Sequence, residues 1–159
     1  MKNYDVKPFE LFDKQWGLLT AGTRGRFNAM TISWGGLGTL WGRPVATVYV
    51  KPARYTHRFM EENKYFTVSF YPPEQRQALE VLGTMSGRDG DKIAVAGLSP
   101  VYLNGAVTYN EAEITLVCEK IYSHDLELDK VPDWAANAHY TTEEPHTMYI
   151  GRVLQIIRG

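Results

Sequence analysis

Short runs of β-type residues, interrupted only by brief helical stretches, constrain the fold of this chain more than any other feature. Gly17 to Thr23 and Phe27 to Trp34 are joined by Arg24-Gly25-Arg26, a glycine-containing turn of hairpin length. Val45 to Val50 follows Pro44 and is rich in β-branched residues; Tyr65 to Tyr71 alternates aromatic and small residues until Pro72-Pro73 stops it. Glu113 to Tyr122 and Met148 to Ile157 are the last long strands, with Ala106 to Tyr109 a shorter candidate. Helices are expected at Tyr55 to Asn63, where Tyr55 and Phe59 share a face, at Glu74 to Leu82, which Gly83 ends, and at Asp133 to Tyr140. This order predicts a mainly β domain with short helices, a small closed barrel with helical excursions rather than a βαβ sheet. The 159 residues suffice for one domain over 1–159 and not for two ordinary ones.

Composition narrows the functions. A net charge of −1 gives no broad attraction to nucleic acid or anionic lipid, so neither is expected as a partner. The N-terminal MKNYDVKPFELF lacks the apolar stretch of a signal peptide and no segment approaches a membrane span, which makes a cytoplasmic protein the expectation. Cys118 is the only cysteine, so no intrachain disulfide or thiolate cluster can form. It alternates with Ile114 and Leu116 in a strand-like run and reads as a buried, inert thiol. His57, His124, His139 and His146 show neither an HxH pair nor an HExxH spacing, so no metal site is expected. No serine sits in a recognisable nucleophile elbow.

The chemistry concentrates between Phe27 and Tyr71. Lys51, Arg54, Tyr55 and Thr56 form a basic, hydroxyl-bearing knot that opens a helix. A phosphate monoester needs cations and several donors, and this knot supplies a forked guanidinium, a point charge, a hydroxyl and first-turn N–H groups. The same residues suit a solvated turn in which Thr56 caps the helix, and the local pattern does not choose. Upstream, Asn28, Thr31 and Ser33 are polar, Ala29 lets a backbone come close, and Met30 or Trp34 offers a surface for a flat ring. An ordinary strand with Phe27 and Ile32 in the core fits those residues as well.

Other patterns fail or stay open. Gly35-Gly36-Leu37-Gly38 invites a dinucleotide reading, but the sixth position is Trp41 and a strand follows, so these glycines read as turn or close-approach positions. Ser86 to Lys92 is a polar loop of mixed charge, either an exposed turn or a cofactor contact through Arg88 or Lys92. His146, preceded by Glu143-Glu144-Pro145, reads as a surface histidine with acids beside it that favour its protonated form.

Asn28 to Trp34, Arg43-Pro44, Lys51 to Thr56, Ser86 to Asp89, Glu113 to Tyr122 and His146 to Val153 together resemble the flavoredoxin-like branch of the flavin reductase family, over nearly the whole chain. The resemblance implies a six-stranded Greek-key FMN-binding split barrel with helical insertions, acting as a homodimer with a flavin near each interface. It implies that Asn28, Ala29, Met30 and Thr31, with Ser33 and Trp34 beside them, line the isoalloxazine. Lys51, Arg54, Tyr55 and Thr56 would hold the phosphate, and Arg88 and Lys92 would approach the flavin of either subunit. His146 would border a pocket for the reduced nicotinamide, NADH or NADPH. Where related flavin reductases often carry a proline pair, this chain has Gly35-Gly36. FMN-dependent reduction of a flavin or another small acceptor is the leading expectation. An FMN-carrying electron-transfer protein acting between protein partners is the alternative, and a split barrel without flavin the plainest reading.

Overall fold

The computed structural model describes residues 7–159, so the expectation of no leader at the very N-terminus lies partly outside it. A helical turn α1 (Pro8–Glu10) runs into a π-helical turn at Leu11–Gln15. The strands β1 (Gly17–Thr23), β2 (Arg26–Ile32), β3 (Gly35–Leu40) and β4 (Arg43–Val50) follow. Next come α2 (Tyr55–Glu62), β5 (Tyr65–Phe70), a 3₁₀ turn at Pro73–Gln75, α3 (Arg76–Thr84) and α4 (Lys92–Ala96). The chain ends with β6 (Pro100–Leu103), β7 (Ala106–Tyr109), β8 (Ile114–Asp125), a 3₁₀ turn at Leu128–Lys130, α5 (Asp133–His139) and β9 (Thr147–Arg158).

Seven strands form one antiparallel sheet in the order β2-β1-β5-β8-β9-β4-β3, and β6 pairs with β7 in a separate ribbon. Connectivity alone forces this sheet to curl. Its two edges, β2 and β3, are joined by only Ser33 and Trp34. Flat, the edges would lie about 29 Å apart at strand spacing, whereas the step from Ile32 to Gly35 spans ~11 Å at most. The core confirms the curl: Met30 and Ile32 of β2 share one buried cluster with Ala46, Val48 and Val50 of β4, from the other end of the sheet. The mainly β expectation holds. Among the described residues the strands number nine, and β2 and β3 are not paired, so the strand-spacing expectation of a closed barrel gives way to the split form that the resemblance implied.

A second cluster fills the outer side of β1 and β2, where Leu18 and Ala29 pack under Ala78, Leu79 and Leu82 of α3, Ile93 of α4 and Val107 of β7. This explains why β1 is buried on both faces from Gly17 to Gly22.

The glycine-rich stretch is a strand, not a turn. β3 pairs along β4, and the reversal falls at Trp41 and Gly42, both at positive φ (51° and 68°), as a two-residue hairpin turn requires. Gly35 is indeed a close-approach position: a Cβ there would lie 2.6 Å from the Phe12 ring. No helix among the described residues is long and apolar enough to cross a membrane.

Candidate functional site

The knot after β4 opens a hollow of about 270 Å³ between the start of α2 and the loop from α3 to α4. Arg54, Tyr55 and Thr56 wall one side, and Gly87, Arg88 and Lys92 the other. Three cations line it, and among the described residues that line it there is no acid. Lys92 is 3 % exposed, and its Nζ donates only to main-chain oxygens, of Met85 at 3.2 Å and Leu82 at 3.4 Å. Burial first, and the nearby Arg54 second, pull its ammonium down to about 8. Burial likewise lowers Arg54, whose Nη2 donates to Gly83 O at 3.3 Å. Two cations held together under such desolvation are relieved by an anion more than by any other ligand.

Neutral donors complete the hollow. Thr56 does not cap α2; its hydroxyl accepts from Asn28 Nδ2 at 2.8 Å, and the N-cap, Arg54, makes no side-chain capping bond. The first-turn N–H groups therefore receive no side-chain cap and remain suited to a bound anion. Arg88 donates to Ala53 O at 3.2 Å, and its guanidinium lies 4.8 Å from the Tyr55 ring centroid. Gly87 must be glycine for this loop to close, because a Cβ would overlap the Asn28 carboxamide and stand 3.0 Å from the Tyr55 ring.

Beside the hollow lies an aromatic cluster built at the barrel seam. The Trp34 ring stands 4.8 Å from that of His139 and 5.2 Å from that of His146. His146 Nδ1 pairs with the Tyr140 hydroxyl at 2.6 Å. Trp34, His139 and Tyr140 also wall a cavity of about 690 Å³ under the segment that joins β8 to β9. Glu143 of that segment binds Lys51 at 2.8 Å and attracts Arg54.

The model of the flavin reductase like domain matches residues 10–158. The chain belongs to that family. A comparison with curated proteins returned no match. Among solved structures, flavoredoxin from Methanosarcina acetivorans superposes with a TM-score of 0.74 at 19 % identity, over 100 % of this chain and 73 % of that one. Flavoredoxin of Desulfovibrio vulgaris (Miyazaki F) gives 0.72 at 23 %, over 100 % and 77 %. An FMN-binding protein from Thermus thermophilus with bound p-hydroxybenzaldehyde gives 0.72 at 21 %, over 100 % and 82 %. At such identities these likenesses show a shared fold.

In this flavin reductase-like domain the residues singled out from the sequence separate into groups. Asn28, Arg54, Tyr55, Thr56, Arg88 and Lys92 meet in the hollow. Lys51 does not: its Nζ is taken by Glu143 and by His139 O at 2.9 Å. Met30 is 6 % exposed inside the barrel core, so its side chain offers no face to a ring. Ala29 is fully buried under α3, where Thr31 also points to donate to Leu79 O. Ser33 is half-buried, and Trp34, 44 % exposed, belongs to the aromatic cluster.

His146 is buried rather than at the surface, and its surroundings favour the neutral ring. It is 9 % exposed, and burial, then Lys51 and His139, lower it to about 4 against the opposing pull of Glu143. Sequence reasoning missed Tyr140 and Glu143. Their only sequence signal was the cluster of acids and aromatics before His146, which says nothing of a partner at position 51. Among the described residues no group of His, Cys, Asp or Glu is arranged to hold a metal.

Proposed function

We propose that this domain binds FMN and passes electrons from NADH or NADPH to free flavin or another small acceptor, as a cytoplasmic homodimer with the flavin near the interface. The observation that carries the reading is the hollow with Arg54, Arg88 and Lys92 and no acid, at the start of a helix without a side-chain cap. A phosphate monoester, close to a dianion at neutral pH, matches that charge and donor set. When bound, FMN supplies the redox chemistry.

The chain's own part is binding, orientation and exclusion of water. Arg54, Thr56 and Lys92 hold the phosphate, and Arg88 over Tyr55 closes the rim. Trp34, Tyr140 and His146 form the wall on the ring side, where a neutral His146 presents an uncharged surface to a nicotinamide. The carboxylate of Glu143 holds Lys51 to that wall.

The test is the absorption spectrum of the purified protein with added FMN, followed by anaerobic titration with NADH and with NADPH. Bleaching of bound flavin by either nicotinamide, with turnover when acceptor is added, is the expected result. Absence of flavin uptake overturns the binding reading. Bound flavin that only a reduced protein donor can bleach replaces the enzyme reading with that of an electron carrier.

A further inference from the structure

The segment between β8 and β9, residues 126–146, carries α5 and the ring-side wall of Tyr140 and His146. Its two ends are fastened to each other. Asp125 and Thr147 are register partners, and Leu126 N–H donates to His146 O at 3.0 Å. The Thr147 hydroxyl donates to Asp125 Oδ1 at 2.6 Å and stands 2.8 Å from Nε2 of His57, in the first turn of α2. A threonine hydroxyl has one hydrogen, and an ionised carboxylate can only accept. With that hydrogen committed to Asp125, Thr147 accepts from His57, whose Nε2 therefore carries a proton. The three groups form a one-way chain from His57 through Thr147 to Asp125, and its middle member is 2 % exposed.

This chain touches both halves of the candidate site. His57 directly follows Thr56, which lines the phosphate hollow, and Thr147 directly follows His146. Two other ties lie nearby. Tyr149 donates its hydroxyl to Glu61 Oε1 at 2.5 Å, which holds the next turn of α2 to the sheet. Lys51 grips the segment further out, at Glu143 and His139 O. Of these three ties, the one at Thr147 joins the first turn of α2 to both ends of the segment.

We propose that Thr147 is a positioning residue whose hydroxyl sets the distance between the phosphate hollow and the wall of Tyr140 and His146. This rests on the flavin reading above and adds to it the device that fixes the span between ring and phosphate. A ligand that binds at both places gains from a preset spacing, whereas one that reaches a single place does not.

Thr147→Val keeps the shape and removes the hydroxyl, Thr147→Ser keeps the hydroxyl, and His57→Leu breaks the chain from α2 without altering the β8–β9 ladder. Dissociation constants of FMN, riboflavin and inorganic phosphate are measured for the flavin-stripped full chain and each variant. FMN is expected to bind about tenfold more weakly to Thr147→Val and His57→Leu, the scale of one hydrogen bond. Riboflavin, which reaches only the wall, and phosphate, which reaches only the hollow, are expected to keep their affinities, and Thr147→Ser to match the wild type. Amide exchange followed by NMR supplies a readout without flavin. The Leu126 amide is expected to exchange about tenfold faster in Thr147→Val, and that of Val68, in the middle of the sheet, at its wild-type rate.

An FMN constant that stays at the wild-type value in Thr147→Val and His57→Leu overturns the proposal. So does a matched loss of FMN and riboflavin, which makes Thr147 a support of the wall alone, or of FMN and phosphate, which makes it a support of the hollow alone. Equal acceleration of Leu126 and Val68 marks a general loss of stability and overturns it too. If Thr147→Val does not fold, the binding constants of His57→Leu decide. Failure of the wild-type chain to bind flavin removes the flavin reading, and the Leu126 exchange then decides whether Thr147 holds the segment in place.

Discussion

Lys92 gives the sharpest test of the proposed phosphate site, because burial makes its charge costly and a bound anion would offset that cost. In the free protein its ammonium lies near 8, lowered by burial and then by Arg54. A bound phosphate favours the charged form, so binding above pH 8 takes up a proton. Flavin affinity is therefore expected to be flat around pH 7 and to weaken by up to about tenfold per unit above pH 8. Between pH 7 and pH 9 the loss comes to roughly tenfold, or about 1.4 kcal/mol. Lys92→Met removes the titrating group and a charge-assisted donor. It is expected to bind about tenfold to a hundredfold more weakly at pH 7, with the slope above pH 8 abolished.

Stability of the flavin-free protein should move the other way. The folded Lys92 is depressed from 10.5 to about 8, so between those values the unfolded chain binds more protons and stability rises with pH. The penalty is fully present below pH 8, and the methionine variant lacks it. Calorimetric titration from pH 7 to 9 at fixed ionic strength, with melting curves of the free proteins, reads both effects. A wild-type affinity that stays constant through pH 9, or a variant that keeps the slope, refutes the account of the hollow.

His146, held near 4, refuses a proton in the folded state, so the stability it contributes above pH 6.5 is lost as pH falls from 6.5 towards 4. An NMR titration of its ring should show no inflection above pH 6, and His146→Phe should flatten the acid side of the stability profile. Gly151→Ala would force a Cβ onto the Phe66 ring and to 2.8 Å from Cys118 Cβ. That overpacking is expected to cost about 1–3 kcal/mol in urea unfolding, and a loss below ~0.5 kcal/mol would show that the core yields there. The Cys118 thiol, with no exposure and pushed up to about 12 by burial, should resist a thiol reagent until the protein is unfolded. Labelling of the native protein at the rate of a free thiol contradicts this.

What the sequence disclosed of the fold follows its local physics. β1 and β7 coincide with the expected Gly17–Thr23 and Ala106–Tyr109, and β5, β8 and β9 differ by a few residues at their ends. Their β-branched and aromatic side chains pack on a pleated surface wherever the strand goes. β3 escaped notice because Gly36 and Gly38 have nothing within 4 Å of a would-be Cβ. An open edge selects no side chain there, so the strand is set by pairing with β4 alone. A barrel was expected from the strand spacing, but the connection that closes it, two residues between β2 and β3 at opposite ends of the sheet order, depends on pairing that no local pattern shows.

The site divides along the same line. That residues 54 to 56 share a hollow follows from their adjacency at a helix start, which a local pattern can show. Which lysine lines the hollow is not local. Lys51 and Lys92 look alike in sequence, one in a knot and one in a polar loop, and both were expected at the cofactor. The fold separates them by bringing Glu143 to within 2.8 Å of Lys51, while Lys92 is buried against carbonyls with Arg54 as its charged neighbour. A cation paired with an acid is neutralised within the fold, whereas one buried beside another cation carries a charge that the fold leaves unbalanced. The distinction depends on an acid 92 positions from Lys51 along the chain, so only the folded chain could assign the two lysines their parts.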